Sequence, residues 1–552
     1  MRTMGGVRKR QKQPRHFKAG LHFSRTDALC IFLVVLLLVV WSHYHDQAPY
    51  WYVSALAFLG AVGVVGTGLC CRFIPSFREC ALTNVALPVV LMTLCICMSA
   101  FFPLGTVPDE GHHFLRSYKY SNYLLLQDPG SMRKDDFDAL MDPVFSGGDF
   151  NGDRVPGGDV SVQKWQWLSA HRATFAEDPS IVDASDSFMR VSFSLSEDLP
   201  QVRLASGLGI ALARLLNLST FWLFYVGRLF GTLYAVLLVW LAVRLTPVGK
   251  KIFIACALLP ITIQQMGVYS ADAAVIGLCF LLTSLLLRAI CAEDKLELRE
   301  VIQIVAIALL LAPCKLLYIA VLLLVFLIPA RRFRSEQNAR KVKMLFAGAA
   351  IVVFVIGAAL AIPRLLGTGA ADAEDYRQTT STFGDYGYFW TFNMIACEPL
   401  RFLALLRDTF FSLGDNYIVT TLGGSLGNFT PILVSPWYVN VLLLGLLAMG
   451  MVPSRDDGVV MMLGTRLTLG VTFSLVLLAS LLALLVTWTF TTDTAILGFQ
   501  GRYVIPVLPC LLLALRGKVV RADCSLGHVI VIGGLFMNVF ILMNMVAAVL
   551  VS

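Results

Sequence analysis

Pro103-Leu104-Gly105-Thr106-Val107-Pro108-Asp109-Glu110-Gly111-His112-His113-Phe114 follows an apolar segment directly and opens a long polar loop. Two carboxylates and two histidines therefore stand where an apolar span ends, a place suited to buried acid–base chemistry. The same residues also read as an ordinary helix start: Thr106-x-x-Asp109, Pro108 at the first helical position and acids in the first turn. In such a helix Asp109 and His113 are four apart and Glu110 and His113 three apart, so their side chains share a face. A carboxylate beside an imidazole orients a base, binds a divalent cation or forms a simple pair, and the motif alone does not choose.

Outward from this stretch the chain is apolar. Of 552 residues, 57% are hydrophobic and 14% charged, and the mean hydropathy is +0.73. That composition predicts an all-α polytopic membrane protein. The net charge of +8 falls in short inter-helix segments, which points to membrane orientation and away from nucleic acid. The 13 cysteines lie mostly in apolar runs, as Cys30, Cys95, Cys97, Cys256 and Cys279 do, and read as small apolar residues. The loop at 103–200 contains none, which excludes a disulfide framework there. No HExxH, Walker A or GxGxxG pattern occurs.

The basic residues set a predicted topology. Arg2 to Arg25 form an acid-free tail that stays cytoplasmic. Residues 1–80 read as this tail plus two extra transmembrane helices, before a core at 81–552 whose first helix, Ala81 to Phe102, emerges at the acidic motif. The outer loop at 103–200 has about twice as many acids as bases, with Asp135, Asp136, Asp138 and Asp142 clustered, and its Trp165 and Trp167 suggest a part folded on the membrane surface. Val202 to Leu216 reads as an interfacial helix. Spans follow at Phe221–Leu245, at Ile252–Val268 and from Asp272 to Arg288. Val301–Ile328 is too long for one span and is split by Ala312-Pro313-Cys314-Lys315. Arg331 to Lys343 lie inside. A helix exiting at Pro363 leads to a second outer region at 363–436, with an amphipathic piece near Pro399 to Leu413. Trp437–Met451, Leu467–Trp488 and two helices flanking Arg516, Lys518 and Arg521 complete the chain. The expectation is about 13 spans in the plasma membrane, N-terminus cytoplasmic and C-terminus outside.

With that topology Asp109, Glu110, His113, Asp272, Lys315 and Arg502 all fall at outer helix ends, while Arg228 and Arg244 fall nearer the inner half. Each site residue has a plain reading: Asp272 as a helix N-terminal charge beside Ser270, Lys315 and Arg502 as snorkelling cations. An outer arginine runs against the positive-inside trend, which favours function for Arg502. Acids and bases together suit a base for an acceptor and cations for a phosphate leaving group.

Pro108-Asp109-Glu110-x-x-His113-Phe114, then Pro260 with Ser270-x-Asp272, then Lys315-x-x-Tyr318, then Gln500-Gly501-Arg502-Tyr503 with Pro506, come in this order at helix ends. The ordered set resembles a family of bacterial predicted membrane proteins of unknown function grouped with the GT-C glycosyltransferases, over about Ala81 to the end. The resemblance implies a GT-C-like helical bundle with its site on extracytoplasmic loops. It implies a polyprenyl-phosphate-linked sugar as donor and a glycan, lipid or protein acceptor of the cell envelope. Asp109 would be the catalytic carboxylate with Glu110 and His113 beside it. Arg502, Lys315, Tyr503 and Gln500 would bind donor phosphate, supported by Asp272, Ser270 and Tyr318. A divalent cation, Mg²⁺ or Mn²⁺, on Asp109, Glu110 and His113 is left open. The adjacent His112 departs from the pattern and leaves open which histidine serves the site. The alternative is a transporter, flippase or polymerase for lipid-linked saccharides, for which an internal repeat is absent.

Overall fold

The computed structural model describes residues 86–107, 109–142, 172–185, 199–348, 389–427, 435–453, 461–517, 521–522 and 526–551. The two N-terminal helices and the helix exiting at Pro363 expected from sequence, with Trp165 and Trp167, fall outside these residues. The described chain is almost entirely helical, with one two-stranded antiparallel sheet.

The first described helix, α1 (Leu87–Phe101), leads through the quoted stretch into α2 (Glu110–Leu124). Strand β1 (Ser131–Arg133), α3 (Lys134–Met141) and β2 (Ile181–Asp183) form a small cap beside it, with Met132 opposite Val182. The acidic cluster read from sequence is partly internal. Asp136 is fully buried, pairs with Arg133 at 2.7 Å, and accepts hydrogen bonds from Tyr118 Oη and Thr220 Oγ1. Asp135 accepts the backbone N–H groups of Glu177 and Asp178, which ties the end of the loop back to α3.

Helices α4 (Pro200–Leu215) and α5 (Thr220–Leu245) follow, then α6 (Lys250–Ala257), α7 (Pro260–Gly267) and α8 (Ala271–Cys291). Where one span is expected at Ile252–Val268, the chain makes two helices of 8 residues each. The reason is Pro260: its ring forces the preceding Leu259 into an extended conformation, φ −62° and ψ 135°, and restarts the helix at its first position. Helix α8 is buried along nearly its whole length and is the hub of the bundle. Ser270 caps it by accepting the Asp272 N–H.

Helix α9 (Leu298–Leu311) starts with a reciprocal Glu297–Glu300 capping box. The break expected at Ala312–Lys315 is present, and a 3-10 helix (Leu316–Leu327) runs back from it. Helix α10 (Phe392–Cys397) precedes α11 (Pro399–Leu422), which continues past the amphipathic piece read from sequence. It stops only at Gly423, whose φ of +88° ends it. Helices α12 (Trp437–Met451), α13 (Leu463–Trp488), α14 (Leu508–Leu515) and α15 (Gly527–Val551) complete the described chain.

Among the described residues four helices are long and apolar enough to cross a membrane: α5, α8, α13 and α15 over Gly527–Met545. Shorter apolar helices include α1 and α12. Leucine and valine side chains stand exposed along α13 and α12, for example Leu467, Val471 and Leu442. Such unsatisfied apolar surface fits contact with lipid.

Candidate active site

Four charged side chains from four elements make one continuous chain: Asp109, Arg502, Asp272 and Lys315. Arg502 Nη2 donates to Asp109 Oδ2 at 2.8 Å. Its Nε lies 3.3 Å from Asp272 Oδ2, an ion-pair contact without hydrogen-bond geometry. Lys315 Nζ donates to Asp272 Oδ1 at 2.5 Å. Asp109 precedes α2, Asp272 opens α8, Lys315 precedes the 3-10 helix, and Arg502 sits in the short turn Gly501–Tyr503.

The local chain explains each placement. Asp272 benefits from the positive end of the α8 dipole. Gly501 packs so tightly on the end of α11 that a Cβ there would stand 2.1 Å from the Thr421 nitrogen. Its own N–H donates to Thr420 Oγ1 at 3.2 Å. Tyr318 Oη donates to the Tyr503 carbonyl at 2.8 Å and props the turn from the other side. Tyr503 presents its ring to both cations, 4.9 Å from Lys315 Nζ and 5.6 Å from the Arg502 guanidinium carbon.

Asp109 differs from the other acids in two ways. Its side chain is 54% exposed, against 6% for Asp272. Its backbone is left-handed, φ +65°, which costs on the order of 1 kcal/mol for a residue with a Cβ. The expected Thr106 cap is not made. Helix α2 begins at Glu110, Asp109 makes no side-chain capping bond, and Thr106 Oγ1 donates to the Pro103 carbonyl. Held by Arg502, the Asp109 carboxylate faces an accessible space and does not close the helix end.

Glu110 turns the other way. Its side chain is 0% exposed; Oε1 accepts from Arg228 Nε, Arg228 Nη2 and the Tyr269 N–H, and Oε2 accepts from the Gly105 N–H. Burial pushes its pKa up, while the Arg228 charge and both backbone N–H groups oppose that. Arg228 also donates to the carbonyls of Ser99 and Phe102. The pair is a clamp joining α1, α2, α5 and the chain before α8. Arg228 thus lies at the site end of α5, two turns from its start, and not toward the opposite half as expected from sequence.

His113 is also buried, and its Nδ1 lies 2.7 Å from Arg203 Nη2. Guanidinium only donates, so Nδ1 is the unprotonated acceptor and the proton of the neutral ring sits on Nε2. Burial first, then the charges of Arg203, Arg502 and Arg116, hold the His113 pKa well below its ordinary value.

These placements bear on a shared metal. All the strong contacts of the Glu110 carboxylate are internal, and a guanidinium occupies Nδ1 of His113. Asp109, Glu110 and His113 therefore do not fit one divalent ion. Among the described residues no group of three His, Cys, Asp or Glu is arranged to hold a metal ion.

A family model described as "Predicted membrane protein (DUF2142)" matches residues 92–511. The chain belongs to this family. The matched residues include the whole Asp109–Arg502–Asp272–Lys315 chain, Glu110 and its clamp, and Gln500 and Tyr503, so the site lies in the part shared with the DUF2142 family model. No curated protein and no solved structure matches the chain.

The structure thus brings Asp109, Asp272, Lys315, Arg502, Tyr503, Tyr318 and, through its cap, Ser270 to one place. Gln500 opens the turn that carries Arg502. Three residues go beyond those assigned to the site from sequence: Arg203, Arg228 and Tyr269. Arg203 and Arg228 are charges within apolar helices, and that unusual setting was the signal available.

Proposed function

We propose that the protein is an integral membrane glycosyltransferase of GT-C type. In this reading it moves a sugar from a polyprenyl-phosphate donor to a glycan, lipid or protein acceptor at the extracytoplasmic face of the plasma membrane. The supporting observation is the half-exposed Asp109 carboxylate gripped by Arg502, which at the same time touches buried Asp272, itself paired with the partly buried Lys315. A multi-pass chain of about 13 helices with a cytoplasmic N-terminus belongs to the same proposal.

The chemistry follows from that grouping. Donor phosphate competes with the Asp109 carboxylate for Arg502, whose planar guanidinium matches two phosphate oxygens. Once Arg502 turns to phosphate, Asp109 is released as general base for an acceptor hydroxyl. The acceptor oxygen attacks the anomeric carbon as its proton passes to Asp109. The bond from that carbon to the phosphate oxygen breaks, and the electron pair leaves on phosphate. Arg502 and Lys315 stabilise the charge gained there more in the transition state than in the ground state. Asp272 holds both cations in place.

The test is transfer from a synthetic polyprenyl-phosphate hexose by purified, reconstituted protein. Asp109→Asn keeps the size of the side chain and removes the base, so turnover should fall about 100-fold or more with normal expression. Wild-type turnover in that variant would remove the main residue of the enzyme reading. Lipid-linked sugar carried across the bilayer with no glycosidic bond broken would favour the flippase alternative.

A further inference from the structure

Beside Arg502, on the flank formed by α7 and the end of α11, lies a cleft of about 350 Å³ counted out to open solvent. That figure takes in open solvent, and the enclosed part has room for about two waters, so a ligand is met at its mouth. Its polar lining is Gln264, Gln265, Thr420, Ser425 and Gln500, with Arg502 at the boundary. Gln264 is 1% exposed, and its Nε2 has no hydrogen-bond partner among the described residues. Gln265 is fixed by the Ser270 hydroxyl, which donates to its Oε1 at 2.5 Å. A buried amide that donates to nothing is unfavourable and is uncommon in native structures. Here it lines an opening next to the cation assigned to phosphate.

We infer that this cleft holds the uncharged sugar ring of the donor, with Gln264 donating to a ring hydroxyl while Arg502 holds the phosphate. The inference rests on the glycosyltransferase reading and gives it a sugar subsite. The lining decides the ligand class. Three carboxamides and two hydroxyls both donate and accept, which matches the mixed donor and acceptor edge of a polyol. Among the described residues no charged side chain lines the cleft but Arg502, which phosphate occupies in this reading, so nothing there counters an added ammonium or carboxylate group. The ring and its phosphate must be contiguous, and Arg502 borders both the cleft and the ion-pair chain. The helix break at Pro260 serves this arrangement: it starts the short α7, which carries both glutamines.

The experiment measures binding to the full-length protein in nanodiscs with two probes of equal chain length, a polyprenyl phosphate and the corresponding polyprenyl-phosphate hexose, tried as glucosyl, mannosyl and galactosyl forms. Wild-type protein should bind at least one hexosyl form more tightly than the bare phosphate. Gln264→Met removes the amide at similar length and should lose about 5- to 10-fold of hexosyl-lipid affinity, as for one hydrogen bond, while leaving the bare phosphate unchanged. Gln500, which the resemblance would put on donor phosphate, lines this cleft and is assigned here to the sugar; Gln500→Met, at the partly exposed start of the Arg502 turn, offers the same comparison with little demand on folding and should move in the same direction. Arg502→Ala should weaken both probes.

If wild type binds both probes equally, the sugar subsite is overturned and the phosphate site stands. If Gln264→Met and Gln500→Met weaken both probes alike, or neither, the cleft does not read the sugar. Wild-type protein that binds neither probe overturns both this subsite and the donor reading.

Discussion

Asp109 and Glu110 are adjacent in sequence and stand in opposite environments. Asp109 is reached by solvent and touches one cation; Glu110 is sealed in with four donors from Arg228, Tyr269 and Gly105. Replacing Glu110 by Gln leaves the Arg228 charge buried without its partner, a change that typically costs about 3–5 kcal/mol. Glu110→Gln should therefore lower thermal stability or yield in detergent, whereas Asp109→Asn should leave melting near normal and lose turnover. A stable Glu110→Gln protein with only a catalytic defect would reverse this assignment. His113 makes a pH prediction. Its folded-state pKa lies well below 6.5, so below pH 6.5 the unfolded chain takes up a proton that the folded chain refuses. Its contribution is fully present above pH 6.5 and is lost as pH falls toward the folded pKa, by up to about 1.4 kcal/mol per pH unit. Melting temperature measured from pH 7 to pH 5 should fall less steeply in His113→Asn than in wild type; identical slopes would show that His113 is not held neutral.

Among the elements, the short turn Gly501–Tyr503 controls the site because it places Arg502 against three neighbours at once. An alanine at 501 keeps every charge but puts a Cβ 2.5 Å from the Thr420 carbonyl carbon and closer still to the Thr421 nitrogen. The turn must move off α11, at a cost of about 1–3 kcal/mol, and Arg502 moves with it. Gly501→Ala should thus raise the donor KM and lower turnover about 10-fold or more, with acceptor KM little changed; unchanged donor kinetics would show that close packing there does not set Arg502. The helices differ in how far sequence revealed them. Trp437–Met451 has the bounds expected from an apolar run between Pro436 and Pro453. The Lys315 break was legible because the apolar run was too long for one span. The split at Pro260 was missed because the residues on both sides are equally apolar, so only the proline marked it. The ion-pair chain was legible as charges at helix ends, since burying charge is costly without a purpose. Which charge pairs with which was not: Arg502 meets Asp109 across 393 residues of sequence, and no local pattern encodes that. Glu110 looked catalytic for the same reason, because its partner Arg228 lies 118 residues away in another helix.

For the whole molecule, the two ends of α8 define which residues must lie on opposite sides of a membrane. Helix α8 has 21 residues, about 31 Å at 1.5 Å each, which matches a hydrocarbon core of about 30 Å. Asp272 and the site stand at its first turn. At its far end Arg332 donates to the Ala289 carbonyl and pairs with Glu300, which brings the basic segment Arg331 to Lys343 to that side. The small cap containing Gly130 is on the site end, because Asp136 in α3 accepts from Thr220 at the start of α5, and Tyr269 just before α8 donates to the Phe224 carbonyl one turn further along α5. Gly130 and Ser335 should consequently face opposite compartments. In the proposed function the positive-inside rule puts Ser335 in the cytoplasm and Gly130 outside, the side proposed for the lipid-linked donor. Reporters that work only outside the cytoplasm, inserted after each residue in otherwise complete chains, make the measurement. The insertion at Gly130 should be active and that at Ser335 silent. Activity on the same side for both would mean that α8 does not span. The reverse pattern would leave the site intact but turn it to the cytoplasm, and a donor carried on the outer leaflet could no longer reach Arg502.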